Sequence, residues 1–477
     1  MNKFRIYRYI AITSIILFVV ACGIPKVAVR DADRTVPDSY YGSLDTNNMA
    51  KDSWKVFFTD PNLVALIDTA LKNNQELNIM RQEINVSNNE ILAKKGEYLP
   101  FVDVGGAAGV DKVSRFTSQG ASDDVTEVAP NVATPEYLGD FMVGAFASWE
   151  VDIWRKLRNS RDAAIDRYLA SVEGTNFMIT NLIAEISNSY YELLALDAKL
   201  ALIKEYIKIQ ENALKTVRLQ KQAGEVSELA VKRFEAQVFN TKAMQFDVEQ
   251  QIIETENRIN FLLGRYPQPI VRNSTAFTAP LPDTLSVGIP SQLMENRPDI
   301  IQAEYMLSAS KLDVKVAKAQ FYPSFDITAG IGFRAFNPAY IIQAPESMLA
   351  NLAGDLMAPV INRKAIKADY MNANAKQMQA VYHYEQTVLN AYVEVANQVS
   401  KIDNLKKSYE MKAKEVEVLN QSIIIANELF TSAKADYMEV LITQRDALEA
   451  QFELVEYKKF QFNTMINLYR SLGGGWR

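Results

Sequence analysis

The sequence predicts a mixed fold: long α-helices of coiled-coil type forming a helical barrel, joined to four transmembrane β-strands per chain, with the whole pattern occurring twice. Three observations carry this. Proline is absent from Glu136 to Tyr266 and again after Pro359. A strict two-residue alternation runs from Ser324 to Arg334. A motif near residue 98 returns near residue 321.

The chain begins with Lys3, Arg5 and Arg8 ahead of an apolar run from Tyr9 to Ala21, the charged start and short greasy middle of a secretory signal peptide. The run is too short to cross a bilayer comfortably. It ends Val19-Val20-Ala21-Cys22-Gly23, similar to the lipobox of bacterial lipoproteins, and the single cysteine of 477 residues stands at that spot. Residues 1–21 are therefore expected to be removed and Cys22 to be acylated, with residues 22–50 as a polar tether leading away from the membrane. Two or more acyl chains make such an anchor stable.

The first repeat spans 51–270. It reads helix, then strands at about 98–115 and 138–152, then a long helix pair. Glycine is sparse in the helical parts, where Gly174, Gly224 and Gly264 stand alone. Apolar residues recur at helical spacing, as in Ile179, Leu182, Ile183, Ile186, Tyr190, Leu193 and Leu194. At 1.5 Å per residue, a run from Asn159 to Lys221 reaches roughly 90 Å, far beyond an ordinary globular helix. That length points to a coiled-coil or tubular assembly.

After a linker at 271–290, the second repeat spans 291–477, with strands at about 321–336 and 348–360. Phe325, Ile327, Ala329, Ile331 and Phe333 fall on one face of the first of these, and Ser324, Asp326, Thr328, Gly330, Gly332 and Arg334 on the other. This suits a membrane strand with its apolar face outward, and equally a half-buried strand of a soluble sheet. The duplication is explicit. Tyr98-Leu99-Pro100-Phe101-Val102-Asp103 with Gly109 returns as Phe321-Tyr322-Pro323-Ser324-Phe325-Asp326 with Gly332. Ile153-Trp154-Arg155-Lys156 corresponds to Ile361-Asn362-Arg363-Lys364, and Leu263-Gly264 to Leu472-Gly473. The intervening loops, about 116–137 and 337–347, are expected to be external tips.

Four strands cannot close a barrel, because each sheet edge would leave unpaired backbone groups in hydrocarbon. Single-chain bacterial barrels start at eight strands. If the strands lie in a membrane the chain must oligomerise, and three copies would make a twelve-stranded barrel.

Composition argues against catalysis. Apolar residues make up 48% of the chain and charged residues 23%, with a net charge of −6, which suits an ordered core and gives no reason to expect nucleic acid. One cysteine and one histidine leave no material for Cys/His metal clusters or Cys/His nucleophiles. His383 reads as a surface or half-buried helix residue. No phosphate-cradling glycine loop occurs, and Gly473 to Gly475 end the chain instead of opening a helix. No catalytic residue, metal site or cofactor is expected.

The residues resemble the TolC-type outer-membrane factor family (outer membrane efflux proteins), in its lipoprotein NodT/OprM-like branch. The resemblance rests on Trp54, Asp60-Pro61, Asn74, Tyr98-Leu99-Pro100, Trp149-Glu150-Val151-Asp152-Ile153-Trp154, Asn296-Arg297-Pro298-Asp299-Ile300, Ala358-Pro359-Val360-Ile361-Asn362 and Leu468-Tyr469-Arg470-Ser471-Leu472-Gly473 in that order. It implies a homotrimer anchored to outer-membrane lipid and extending into the periplasm. Its partners would be a periplasmic membrane-fusion adaptor and an inner-membrane pump, the resistance-nodulation-division type first.

The resemblance also implies a periplasmic aperture where the helix pairs turn, here around Gly224 and Glu225 and around Ala433 and Lys434, which would be adaptor-contact turns. Glu439 falls where the family carries an aspartate, and Ile442 takes the place of another. Asp436 lies three residues earlier, so Asp436 and Glu439 are candidates for an acidic ring on one helix face. Tyr437 and Arg445 are latch candidates. Two other classes stay in view: a periplasmic adaptor, which should carry one helical hairpin with Gly-rich β-segments, and a structural coiled-coil lipoprotein, which needs no glycine-punctuated strands.

Overall fold

The computed structural model describes residues 23–40, 45–274, 277, 286–432 and 434–477. The expected signal segment, Cys22 and Ala433 lie outside these residues, as does half of the linker. The chain divides into two compact units, one of Met1–Asp31, Val86–Tyr168 and Tyr305–Val381, the other of Ala32–Asn85, Leu169–Glu304 and Tyr382–Arg477.

Element order follows the duplication. The first repeat contains α1 (Pro61–Asn73), α2 (Gln75–Tyr98), β1 (Phe101–Asp111), β2 (Leu138–Glu150), α3 (Lys156–Gln222) and α4 (Glu228–Leu262). The second contains α5 (Pro298–Ala319), β3 (Ser324–Ala335), β4 (Met348–Met357), α6 (Lys364–Thr431) and α7 (Tyr437–Ser471). The strands are a few residues shorter than the expected bounds, and Pro100 and Pro323 fix the starts of β1 and β3. The first loop contains a short helix, Ser118–Asp123, and a small hairpin pairing Glu127–Ala129 with Val132–Ala133.

The first unit holds a four-stranded antiparallel meander in the order β1-β2-β3-β4. Its pairings, Val104 with Ala145, Trp149 with Ile327 and Phe325 with Leu356, set one side chain parity on each face. One face reads Val102, Val104, Gly106, Ala108 and Val110 on β1, Phe141 to Trp149 by twos on β2, Phe325 to Phe333 by twos on β3 and Met348 to Leu356 by twos on β4. No polar side chain occurs on it. The opposite face carries Asp103, Asp140, Ser148, Asp326, Thr328, Arg334, Asn351 and Asp355, with Arg334 gripping Asp140 through two hydrogen bonds. β1 and β4 are edges without a further strand among the described residues.

In the second unit the two repeats are locked by the same device. The Asn74 side chain donates to the carbonyl of Leu262 at 2.9 Å, so the end of α4 abuts the start of α2. Arg297 donates to the carbonyl of Ser471 at 2.9 Å, so the end of α7 abuts the start of α5. These side chains satisfy carbonyls that a helix end otherwise leaves open. Gly264 and Gly473 sit at the two junctions with φ of +66° and +89°, each so close that an added Cβ would lie 2.4 Å from a neighbouring carbonyl oxygen. At 1.5 Å per residue, the part of α3 from Leu169 to Gln222 extends ~80 Å, which accords with the expected coiled-coil length. No helix among the described residues is long and apolar enough to cross a membrane.

The segment after residue 22 is docked, where the sequence suggested a tether leading away. Ile24 and Val27 pack against Ala317, Phe321 and Tyr370 in the first unit, where Asp31 also pairs with Lys311. In the second, the Asp33 backbone N–H donates to Glu385, Arg34 bonds Glu304, and Tyr40 stacks on Tyr392 at 5.5 Å. In each unit it has partners on α5 and α6. His383 is exposed on α6.

Candidate aperture at the helix tips

The turn from α3 to α4 is closed by two hydrogen bonds, Gly224 N–H to the Lys221 carbonyl at 3.0 Å and Glu225 N–H to the Gln220 carbonyl at 2.9 Å. This pairing with a left-handed residue, Gly224 at φ +80°, is the Schellman ending of a helix. Ser227 then caps α4, its hydroxyl accepting from the Ala230 N–H. The turn from α6 to α7 repeats the wide bond, Lys434 N–H to the Leu429 carbonyl at 2.8 Å. Asp436 stands where Ser227 stands in the first turn, with extended backbone at ψ 151°.

Both turns are fixed from beneath by one apolar cluster. Leu214 and Val217 of α3, Val231 and Phe234 of α4, Ala426 of α6 and Val440 of α7 are buried together, with Phe430 and Tyr437 packed at the margin. Burial of a side chain such as Phe234 contributes about 2 kcal/mol. The four helix ends therefore move as a unit unless this cluster opens.

Gly224, Glu225 and Lys434 are all exposed at the tip. Asp436 and Glu439 are also exposed, and no cation pairs with either among the described residues. Because α7 begins at Tyr437, Asp436 is its N-cap and Glu439 its third residue, the pair of positions that a capping box uses. Tyr437 is partly buried in the apolar cluster. The Arg445 guanidinium is held by its neighbour Asp446 at 2.9 Å, and the two latch candidates are not bonded to each other. The first tip is compensated differently. Lys221 pairs with Glu228, and that hydrogen bond holds the Glu228 carboxyl below its ordinary range.

Features with no sequence signal lie further up the arm. Gln444 of α7 and Gln210 of α3 are each 1% exposed, and neither amide finds a partner among the described residues. The ion pairs Lys199 with Glu456 and Lys242 with Glu211 fix the register of α7 and α4 along α3, which puts Gln444 and Thr241 near the level of Gln210. A polar layer thus separates the tip cluster from the next one, built on Ile203, Ile207 and Val248.

The model of the outer membrane efflux protein family matches residues 66–265 and 289–474. The chain is 25% identical over 430 residues to the probable outer membrane lipoprotein SilC of Salmonella typhimurium, covering 90% of this chain and 89% of that protein. It is 26% identical over 423 residues to the toluene efflux pump outer membrane protein TtgI of Pseudomonas putida, covering 88% and 87%. It is 24% identical over 474 residues to the pyoverdine export outer membrane protein OpmQ of Pseudomonas aeruginosa, covering 98% and 97%. Among solved structures, a membrane protein from Pseudomonas aeruginosa superposes with a TM-score of 0.84 at 24% identity, over 95% of this chain and all of that one. The Campylobacter jejuni CmeC outer membrane channel gives 0.82 at 20% identity, over 95% and 94%.

Proposed function

Because this chain belongs to the outer membrane efflux protein family, we propose that it is the outer-membrane exit channel of a tripartite efflux or export system, a passive duct that works as a homotrimer. The observation that carries the reading is the sheet: one face without a polar side chain, and two edges without a partner strand among the described residues. In hydrocarbon that face is satisfied and those edges are not, so copies must join edge to edge until the sheet closes.

The helices support the same ring. Phe239, Phe246, Ile253 and Phe261 lie exposed along α4 at near-heptad spacing, Phe246 at 67%. Leu389, Met411, Val418 and Ile425 do so along α6. Apolar stripes of this kind on two different helices suit a head-to-tail contact between copies, which closes into a ring.

In this reading Cys22 carries the lipid and the turns at Gly224–Glu225 and Ala433–Lys434 meet a periplasmic adaptor that links the duct to an inner-membrane pump. Asp436 and Glu439, unpaired and repeated around the axis, form an acidic ring that draws cations, with Ile442 one turn deeper as an apolar constriction. Tyr437, packed against the tip cluster, and Arg445 are the latch residues of the closed state in this reading. The relatives are named for cargoes as unlike as cations, toluene and pyoverdine, which favours a duct whose cargo is chosen by the pump. Native mass spectrometry of the detergent-purified mature protein tests the oligomer. Three copies are expected, and a monomer that stays monomeric on dilution into lipid would overturn the reading.

A further inference from the structure

We propose that the turn between β4 and α6 together with the first turn of α6, residues 358 to 367, is a contact for anionic glycerophospholipid at the water boundary of the membrane, next to the strand ends. This rests on the membrane reading above and adds a partner to it.

Val360 and Ile361 are exposed, Ile361 at 85%. A lone exposed apolar residue is ordinary, but these two are adjacent and follow within five residues of Leu356, where the apolar sheet face ends. They also adjoin an aromatic group. Trp154 stacks on Tyr322 at 4.7 Å and donates its indole N–H to the Pro323 carbonyl at 2.8 Å. Trp154, Tyr322, Met357 and Pro359 line one cavity of about 200 Å³. Rings with an apolar body and a polar edge settle at headgroup depth. Asn362 in this turn has a left-handed backbone, φ +56°, and the first repeat places its left-handed residue one position later in the matched turn, at Arg155 with φ +59°.

Charge then separates the two repeats. In the first, the cations of the corresponding turn are answered by carboxylates: Lys156 by Glu150, Arg158 by Asp152 at 3.0 Å and Arg155 by Asp162 at 3.9 Å. In the second, Lys364 and Lys367 have no carboxylate partner among the described residues, and no Asp or Glu occurs from Leu356 to Ala368. Arg363 lies over the Phe321 ring at 4.8 Å and donates to the Phe321 carbonyl. Uncompensated ammonium groups beside exposed aliphatic side chains complement a lipid with a negative phosphate and an acyl chain. An acidic protein surface would complement the lysines but not Val360 and Ile361.

The test uses the full-length mature protein in phosphatidylcholine vesicles, with Ile361→Cys carrying a fluorophore and the signal corrected by the labelled parent sequence. Brominated phosphatidylglycerol and brominated phosphatidylcholine are compared as quenchers at equal mole fraction. The expected result is stronger quenching by phosphatidylglycerol, with a local enrichment of up to roughly fivefold per lysine that falls as salt rises. Lys364→Gln with Lys367→Gln should reduce it to the phosphatidylcholine level without lowering that level. Equal quenching by both lipids in the parent would overturn the proposal and leave the membrane placement standing. If neither lipid quenches the label, Trp154 decides between the two readings: quenched tryptophan sinks only this contact, and unquenched tryptophan sinks the membrane placement as well.

Discussion

Alanine at Gly264 should destabilise the protein far more than alanine at Gly224, although both glycines are left-handed, at φ +66° and +80°. The backbone term is common to both and costs about 1 kcal/mol, which is roughly fivefold in the rate of local opening. At Gly224 nothing lies within 4 Å of the added Cβ, so that term is all. At Gly264 the Cβ would sit 2.4 Å from the Asn73 carbonyl oxygen and 2.9 Å from Gln75 Oε1. Asn73 cannot yield freely, because the next residue is buried and bonded to Leu262. Breaking that bond and leaving its buried groups unsatisfied adds about 2 kcal/mol, for a total of about 3 kcal/mol, or on the order of 100-fold. Amide hydrogen exchange read by mass spectrometry over residues 72–78 and 258–266 should show acceleration of that size in Gly264→Ala. In Gly224→Ala only residues 220–228 should accelerate, by the smaller factor. Gly473→Ala should behave as Gly264→Ala, since its Cβ would lie 2.4 Å from the Asn296 carbonyl. Equal effects at Gly224 and Gly264 would refute the reasoning that the α4–α2 and α7–α5 junctions are close-packed locks.

Three further outcomes follow from the helical arms. Asp436→Asn with Glu439→Gln should lower the preference for cations over anions in a planar bilayer, and unchanged selectivity removes the acidic ring. Gln444→Met should leave stability unchanged or raise it by about 1 kcal/mol, because it removes a buried amide without a partner; a loss beyond about 2 kcal/mol in thermal melting would mean the amide is satisfied in the assembly. For Glu456, burial raises the carboxyl pKa, but the hydrogen bonds from Lys199 and Lys459 outweigh it, so the folded value lies below the ordinary one. Its contribution is therefore present above about pH 4.5 and lost as acid titrates it, and Glu456→Gln should flatten the acid limb of a melting curve; an unchanged limb contradicts the pairing.

The duplication, the long helices and β3 were legible because their signals are local. Residues 324–334 alternate cleanly, and helices without proline need no partner to be read. β1 was less legible because its inward residues Gly105, Ala107 and Gly109 are as apolar as its outward ones, so only the pairing with β2 reveals its faces. The strap from Gly23 to Tyr40 reads as a linker because Ile24, Val27 and Tyr40 are too sparse for any period, and their docking is set by α5 and α6. At the tips, Gly224 announces its turn, while the spacing of Asp436 to Glu439 suits a helix. One residue of extended backbone turns Asp436 into the cap. The charge difference between the turns at 153–158 and 361–367 is half legible: the lack of Asp and Glu from Leu356 to Ala368 stands in the sequence, while the pairing of Glu150 and Asp152 with the cations of the first turn is set by geometry.

Single-particle imaging of the detergent-purified mature protein tests the central claim most directly, since closure of the sheet by copies of the chain is what the apolar face and the two bare edges require. The predicted result is a threefold hollow particle in which β1 of each copy pairs with β4 of the next inside the micelle and the four long helices of each copy line a tube outside it. A particle in which β1 and β4 stay unpaired, or in which the sheet lies outside the micelle, would contradict it.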